Sequence, residues 1–228
     1  MNTSGNELIQ QEYLNYIEDK AFPCVAAKAA MAKQHIKCMV AGHLACPKDD
    51  QAVLEFLYAF VDNYRKSGEF YHSAAIIFKE PECYSEEMFD SLLWQRLQAL
   101  ANLDAINYNY DKRVNSDINS PDFSFSIKEE AFYIIGLHPA SSRHARQFSY
   151  PALVFNPHAQ FEILRKSSKY DTMKTVIRKR DTVFSGSVNP MLEDFGQASE
   201  VFQYSGRNYD DQWKCPLKIN HVKHNSAA

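Results

Sequence analysis

Phe123-Ser124-Phe125-Ser126-Ile127-Lys128-Glu129-Glu130-Ala131-Phe132-Tyr133-Ile134-Ile135-Gly136-Leu137 is the stretch whose reading decides the fold. Its first five residues alternate Phe and Ser. That is the period-two signal of a half-buried strand, because successive side chains on a strand point to opposite faces. Lys128-Glu129-Glu130 reads as a turn and Ala131 to Leu137 as a second strand, so the stretch predicts a hairpin. Outward from it, Ala152 to Phe155 and Ala74 to Phe78 are short apolar strand candidates, and Ile36 to Ala41 is β-like.

Helical spacing fills the gaps between these strands. Val53, Leu57, Phe60, Val61 and Tyr64 recur at i, i+4, i+7, i+8 and i+11, an amphipathic helix. Ser85 followed by Glu86, Glu87 and Met88 reads as an N-cap with acidic first-turn residues, and Phe89, Leu92, Leu93, Leu97 and Leu100 continue that helix. Glu7 to Asp19 is a helix stopped by Phe22-Pro23-Cys24, and Ala26 to Gln34 starts another. Asn156-Pro157 predicts a helix start, with Asn as cap and Pro in the first turn. Tyr170 to Arg180 is helical, Asn102 to Asp122 is a loop, and the chain after Phe184 is mostly irregular. The reading is one α+β domain over residues 1–228, with a mixed, mostly antiparallel sheet covered by helices. Its N-terminal helix falls within 1–20, and 217–228 is a frayed tail.

Composition narrows the function. The 228 residues are 45% hydrophobic and 23% charged, the profile of an ordinary globule. Fifteen Phe and 13 Tyr against 7 Gly suit a rigid core or an apolar cavity and argue against disorder. A net charge of −3 disfavours a nucleic-acid binder. The longest apolar runs fall far short of a membrane span. Met1 to Gln11 is polar, without a signal core, so cytoplasmic residence is expected. The five cysteines form no CxxC, which disfavours both a structural zinc site and a disulfide framework.

The densest polar segment is Gly136-Leu137-His138-Pro139-Ala140-Ser141-Ser142-Arg143-His144-Ala145-Arg146, directly after a strand. Two hydroxyls, two guanidiniums and two imidazoles there can hold a carboxylate or phosphate, Arg being shaped for bidentate contact. The bland alternative is a polar surface loop. His158, just past a strand, is a second candidate, and the bland alternative is a packed or capping residue. Cys24 and Cys215 are ligand candidates or simply buried small hydrophobes. Ser187 to Gly196 and Gln203-Tyr204-Ser205-Gly206-Arg207 mix turns with aromatics, as would an extended segment wrapped over the core. HExxH, GxGxxG, GxxxxGK[ST] and GxSxG are all absent, so zincin, Rossmann, P-loop and hydrolase-elbow readings lack their signatures.

Taken together, these segments resemble the YqcI/YcgG family from Phe22-Pro23-Cys24 to Trp213-Lys214-Cys215-Pro216, most of the chain. The carriers are Leu93-Trp94-Gln95-Arg96-Leu97-Gln98, Ser120-Pro121-Asp122-Phe123-Ser124-Phe125-Ser126, Gly136 to Arg146, and Tyr150-Pro151-Ala152-Leu153-Val154-Phe155-Asn156. His158 with Gln160-Phe161-Glu162, then Asn189-Pro190-Met191-Leu192 and Tyr204-Ser205-Gly206-Arg207 complete them. One departure is visible: family members often follow the Cys-Pro motif with an aromatic and a histidine, whereas Leu217 and Lys218 follow here.

The family includes heme-dependent N-oxygenases of natural-product pathways, of the arginine and pre-guanitoxin N-hydroxylase type. Other members have no assigned activity, so the resemblance implies heme more strongly than a substrate. It implies an iron-binding oxidoreductase, a monooxygenase that hydroxylates an amine or guanidine nitrogen with dioxygen and an external electron donor. The cofactor is then heme b, non-covalent because CxxCH is absent. A b-type heme needs an apolar slot, an axial donor and cations at its propionates. His138 is the first candidate ligand and His158 the second, with a cysteine, Cys24 or Cys215, left open. Arg143, Arg146, Ser141 and Ser142 are the propionate candidates. Asp122, Glu162, Glu193 and Asp194 are the acidic groups available to a cationic substrate. Two other readings stay open: a heme sensor or carrier without turnover, and a protein-interaction domain without heme.

Overall fold

In the computed structural model the described residues are 4–166, 169–187 and 195–221. Five strands form one sheet: β1 Ile36–His43, β2 Ser73–Glu80, β3 Phe125–Ile127, β4 Glu130–Leu137 and β5 Ala152–Pro157. Their spatial order is β1-β2-β5-β4-β3. Only β1 and β2 run parallel, and the other three pairings are antiparallel. The sheet is therefore mixed and mostly antiparallel, in an α+β chain. A parallel pair needs a crossover, and the helix α3 (Asp50–Ser67) supplies it. The remaining described helices are α1 (Gly5–Glu18), α2 (Val25–Ala32), α4 (Glu86–Asp104), α5 (His158–Lys166), α6 (Lys169–Ser185) and the single turn α7 (Val201–Tyr204).

Strand parity divides the core in two. Ala74, Ile76 and Phe78 of β2 pack with Val53, Leu57, Leu93 and Leu97 of α3 and α4. Ala75 and Ile77, one residue out of phase, pack with Tyr13, Ile17 and Phe22 from α1 and the segment after it. Helices thus cover both faces. On the second face, Tyr16 of α1 donates its hydroxyl proton to the carbonyl of Ala145 at 2.8 Å, and Tyr13 meets Phe148 edge to face at 5.6 Å.

The expected hairpin is present, but its turn is Lys128-Glu129, both at positive φ (53° and 56°). Such φ values suit a two-residue turn between twisted strands, yet usually need Gly or Asn. Neighbouring helices hold this turn in place. Asp104 accepts from the Lys128 amide at 3.0 Å, and Arg65 donates to both turn carbonyls at 2.9 Å. β3 is shorter than the Phe/Ser alternation predicts, and Ser124 and Ser126 do not face water. Ser126 Oγ accepts from the Asp111 amide and Ser124 Oγ donates to the Phe132 carbonyl, because the 105–122 loop covers that side.

Two boundary expectations change. β5 runs through Pro157, paired with Phe132, so α5 starts at His158 and Asn156 is no cap. The Asn156 side chain donates from Nδ2 to the Tyr133 carbonyl instead. The tail expected to fray is held as far as His221. Leu217 is buried, Lys218 exchanges two hydrogen bonds with Gln98, and His221 lies 3.2 Å from Asp104. Residues 222–228 lie outside the described part.

Arg96 joins the layers. Its Nε donates to Leu44 O at 2.7 Å, one terminal nitrogen donates to His43 O and Cys46 O, and the other meets Asp50 at the start of α3. Its guanidinium also lies 5.3 Å over the Phe78 ring. Burial pushes the Asp50 carboxyl up despite the attraction of Arg96, and pushes the Arg96 guanidinium down. Desolvation therefore outweighs the Coulomb gain, as is common for buried pairs. Removing one partner is still costly, since it strands the other. Arg96→Ala should lower unfolding stability by about 3–5 kcal/mol, measured by urea denaturation. A loss within ~0.5 kcal/mol, the range of an ordinary surface change, would show that the junction does not depend on it.

Candidate functional site

A cavity of about 280 Å³ lies on the α1–α2 side of the sheet, closed outward by α5 and α6. Tyr16, Ile17, Phe22, Ile135, Leu137, Val154 and Phe161 give it apolar walls. Its polar lining includes Arg143, Arg146, Arg165, Lys174, Arg178, Asp181, His158 and Glu200.

Parity on β4 sorts the sequence candidates. Tyr133, Ile135 and Leu137 face the cavity. His138, one step beyond Leu137, turns to the other face and stacks on Phe89 of α4, ring centroids 4.3 Å apart. The structure therefore does not bring His138 to the cavity, although its Nδ1 is buried without a partner. Ser142 is exposed and donates from its amide and hydroxyl to Glu86. Ser141 Oγ accepts from the Arg143 amide. Neither serine lines the cavity, and the short helical turn 144–146 instead turns both arginines toward it.

Those arginines are not equivalent. Arg143 donates to Asp181 at 2.6 Å and to the Ser187 carbonyl at 2.9 Å. Arg146 is 7% exposed, and one of its terminal nitrogens donates to Tyr204 O at 3.1 Å and to Gly136 O at 3.4 Å. No carboxylate of the described residues lies within ion-pair distance of it. Burial pushes its guanidinium below the ordinary range. A buried charge without a partner costs several kcal/mol.

His158 opens α5 and is 5% exposed. Its Nε2 lies 3.5 Å from Glu200 and 3.9 Å from Glu162, but it makes no hydrogen bond. Burial lowers the His158 imidazole to about 4 and raises the Glu200 carboxyl to about 8. Burial thus disfavours the charged form of each, and so works against an ion pair at this short distance. Tyr204 donates its hydroxyl proton to Glu200 at 3.3 Å, and the Phe195 ring sits 4.3 Å from that of His158.

The remaining expectations divide. Cys24 lines the cavity, but its sulfur accepts from the Ala27 amide as the cap of α2, and burial keeps it a thiol. Cys215 packs in the α4-side core. Asp122 and Glu162 do not line the cavity, and Glu162 pairs with Arg165. Glu193 and Asp194, with Asn189-Pro190-Met191-Leu192, lie outside the described residues. Sequence reasoning missed Glu200, whose only local signal is its place before an aromatic turn. It also missed the inner face of α6, where Lys174, Ile177, Arg178 and Asp181 recur at i, i+3, i+4 and i+7. That spacing could have found them.

The fold has helices on both sheet faces and a polar-ended cavity on one of them, and comparison with known proteins gives the family. The YqcI/YcgG family model matches residues 13–218, so the chain belongs to that family. The uncharacterized protein YqcI of Bacillus subtilis (strain 168) is 27% identical over 224 residues, spanning 91% of this chain and 87% of its own. No solved structure matches. Among the described residues no helix is long and apolar enough to cross a membrane, and no group of three or more His, Cys, Asp or Glu is arranged to hold a metal ion.

The buried groups fix a pH optimum. Burial lowers His72, His138 and His158 to about 4. Unfolded histidine titrates near ~6.5, so their stabilising effect is complete above that pH and is lost as pH falls toward 4. Glu200 acts in the opposite sense. Raised to about 8, it favours the folded state below the ordinary carboxyl range and loses that effect as pH rises to 8. Ligand-free protein should be most stable near pH 6.5. Glu200→Gln should flatten the decline between pH 6.5 and 8 and steepen the rise between the ordinary carboxyl range and 6.5. Urea midpoints across this range test it, and an unaltered alkaline decline in the variant would refute the assignment.

Proposed function

We propose that this protein is a heme-dependent N-oxygenase that hydroxylates an amine or guanidine nitrogen of an amino acid or related small molecule, using dioxygen and an external electron donor. The observation that supports this best is the pairing, within one apolar cavity, of a neutral imidazole and a buried guanidinium without a counter-ion. Together with family membership, that donor set suits a b-type heme. An uncharged His158 nitrogen without a hydrogen bond is the form that ligates iron, and Arg146 is a cation for a propionate. Size adds a condition. About 280 Å³ is at the small end of ligand pockets, which run from ~300 to 1,000 Å³, so accommodating a porphyrin requires the α5–α6 wall to stand further out.

Bound heme would supply the iron that activates dioxygen. The chain's own contributions are positional and electrostatic. Tyr16, Phe22 and Phe161 exclude water. Arg146 holds a carboxylate, while Arg143 is already neutralised by Asp181. Glu200 holds a proton at its carboxyl beside His158 and so offers a ligand nitrogen or oxygen a hydrogen-bonding group.

Hemin titration should give one Soret-absorbing equivalent per chain, removable by acid–acetone. His158→Ala should shift the ferric and ferrous–CO spectra, and His138→Ala should leave them as in the parent. A chain that stays colourless with hemin overturns the proposal. Heme binding without N-oxidised product from arginine, lysine or related amines, with reductant present, would instead support a sensor or carrier.

A further inference from the structure

We infer that, of the two arginines in the Gly136-to-Arg146 stretch, Arg146 and not Arg143 is a carboxylate-binding group of the cavity, and that the Tyr204-Ser205-Gly206 turn is the element that positions it. The inference rests on the reading that the cavity takes a ligand with a carboxylate on an apolar body. That ligand can be a porphyrin through its propionate or a free organic acid.

Three observations carry it. First, the Arg143 guanidinium is occupied by Asp181 and by both the hydroxyl and the carbonyl of Ser187. Second, a guanidinium has five N–H donors. Arg146 directs one nitrogen at the Tyr204 and Gly136 carbonyls, and its other nitrogens have no partner among the described residues. A carboxylate accepting from two of them in parallel would supply both the missing charge and the missing acceptors.

Third, the seat is built to a tolerance that only glycine meets. Gly206 has φ +87°, and a Cβ there would lie 2.6 Å from Arg146 Cδ and 3.1 Å from its Nε. A Cβ at Gly136 would lie 2.6 Å from the Phe89 ring and 2.8 Å from the Tyr204 carbonyl, the same carbonyl that holds Arg146. The Gly136-to-Arg146 stretch and the Tyr204-Ser205-Gly206-Arg207 segment are thus two halves of one clamp on a single side chain.

The test compares hemin with its dimethyl ester, and 3-phenylpropionate with 3-phenylpropanol. If a propionate is the occupant, the parent should retain hemin at least tenfold longer than the ester. Arg146→Gln and Gly206→Ala should each bring that ratio near one, and the double variant should be no worse than either single. Arg143→Gln with Asp181→Asn, which removes the ion pair without stranding a charge, should leave the ratio unchanged. If a free acid is the occupant, 3-phenylpropionate but not the alcohol should raise the parent's melting temperature, and Arg146→Gln should abolish the rise. A response in this arm from a chain that never binds hemin would sink the heme reading and keep this one. A purely structural Gly206 would weaken hemin and ester equally and act additively with Arg146→Gln, refuting the positioning role. Persistence of both discriminations in Arg146→Gln would overturn the inference, as would their loss in the Arg143/Asp181 double variant.

Discussion

The junction around Arg96 is the constraint on which the rest of the structure depends. Three carbonyls at the end of β1 and the loop after it have no ladder partner there, and one buried guanidinium from α4 serves all three while anchoring α3 through Asp50. His43 O and Cys46 O also accept from the Cys46 and Asp49 amides, but Leu44 O has its donor in Arg96, and a buried carbonyl left without one would oppose closure of that corner. With the corner closed, α3 can cross over to make β1 and β2 parallel, and the α3–α4 layer has a fixed face to present to the sheet. Fixing that layer also fixes which residues of β4 are left for the other side, and hence the floor of the cavity.

That floor shows how a one-residue step carries chemical meaning. Leu137 and His138 are neighbours in sequence and lie in different layers, one against Tyr13 and Phe148, the other against Phe89. The local polar motif looked like one site because its residues are contiguous. In space it is three things. His138 is a buried ring of the α4 layer, Ser142 forms a surface contact to Glu86, and the arginines are a wall of the cavity.

Periodicity made the sheet legible. The hairpin, β2, β5 and the amphipathic spacing of α3 and α4 all follow from patterns that the buried layers impose. Ser124 and Ser126 misled because alternation reports polarity, and here the polar side is satisfied by Asp111 and Phe132 rather than by water. Glu200 was not legible, since its burial depends on α5, distant in sequence, packing against it. The Leu93-to-Gln98 motif that carries the family resemblance proves to hold the architectural Arg96, whereas the glycine of Tyr204-Ser205-Gly206-Arg207 packs against Arg146.

The Tyr16–Ala145 bond has a consequence for biosynthesis. Its partners are 129 residues apart, and at roughly 5–20 residues per second of translation they emerge some ten seconds apart. During that interval Tyr13, Ile17 and Phe22 have no β4 or β5 to rest on. These helices thus spend their early life as sticky amphipathic segments, and the cavity comes into being only after β4, β5, α5 and α6 have followed them.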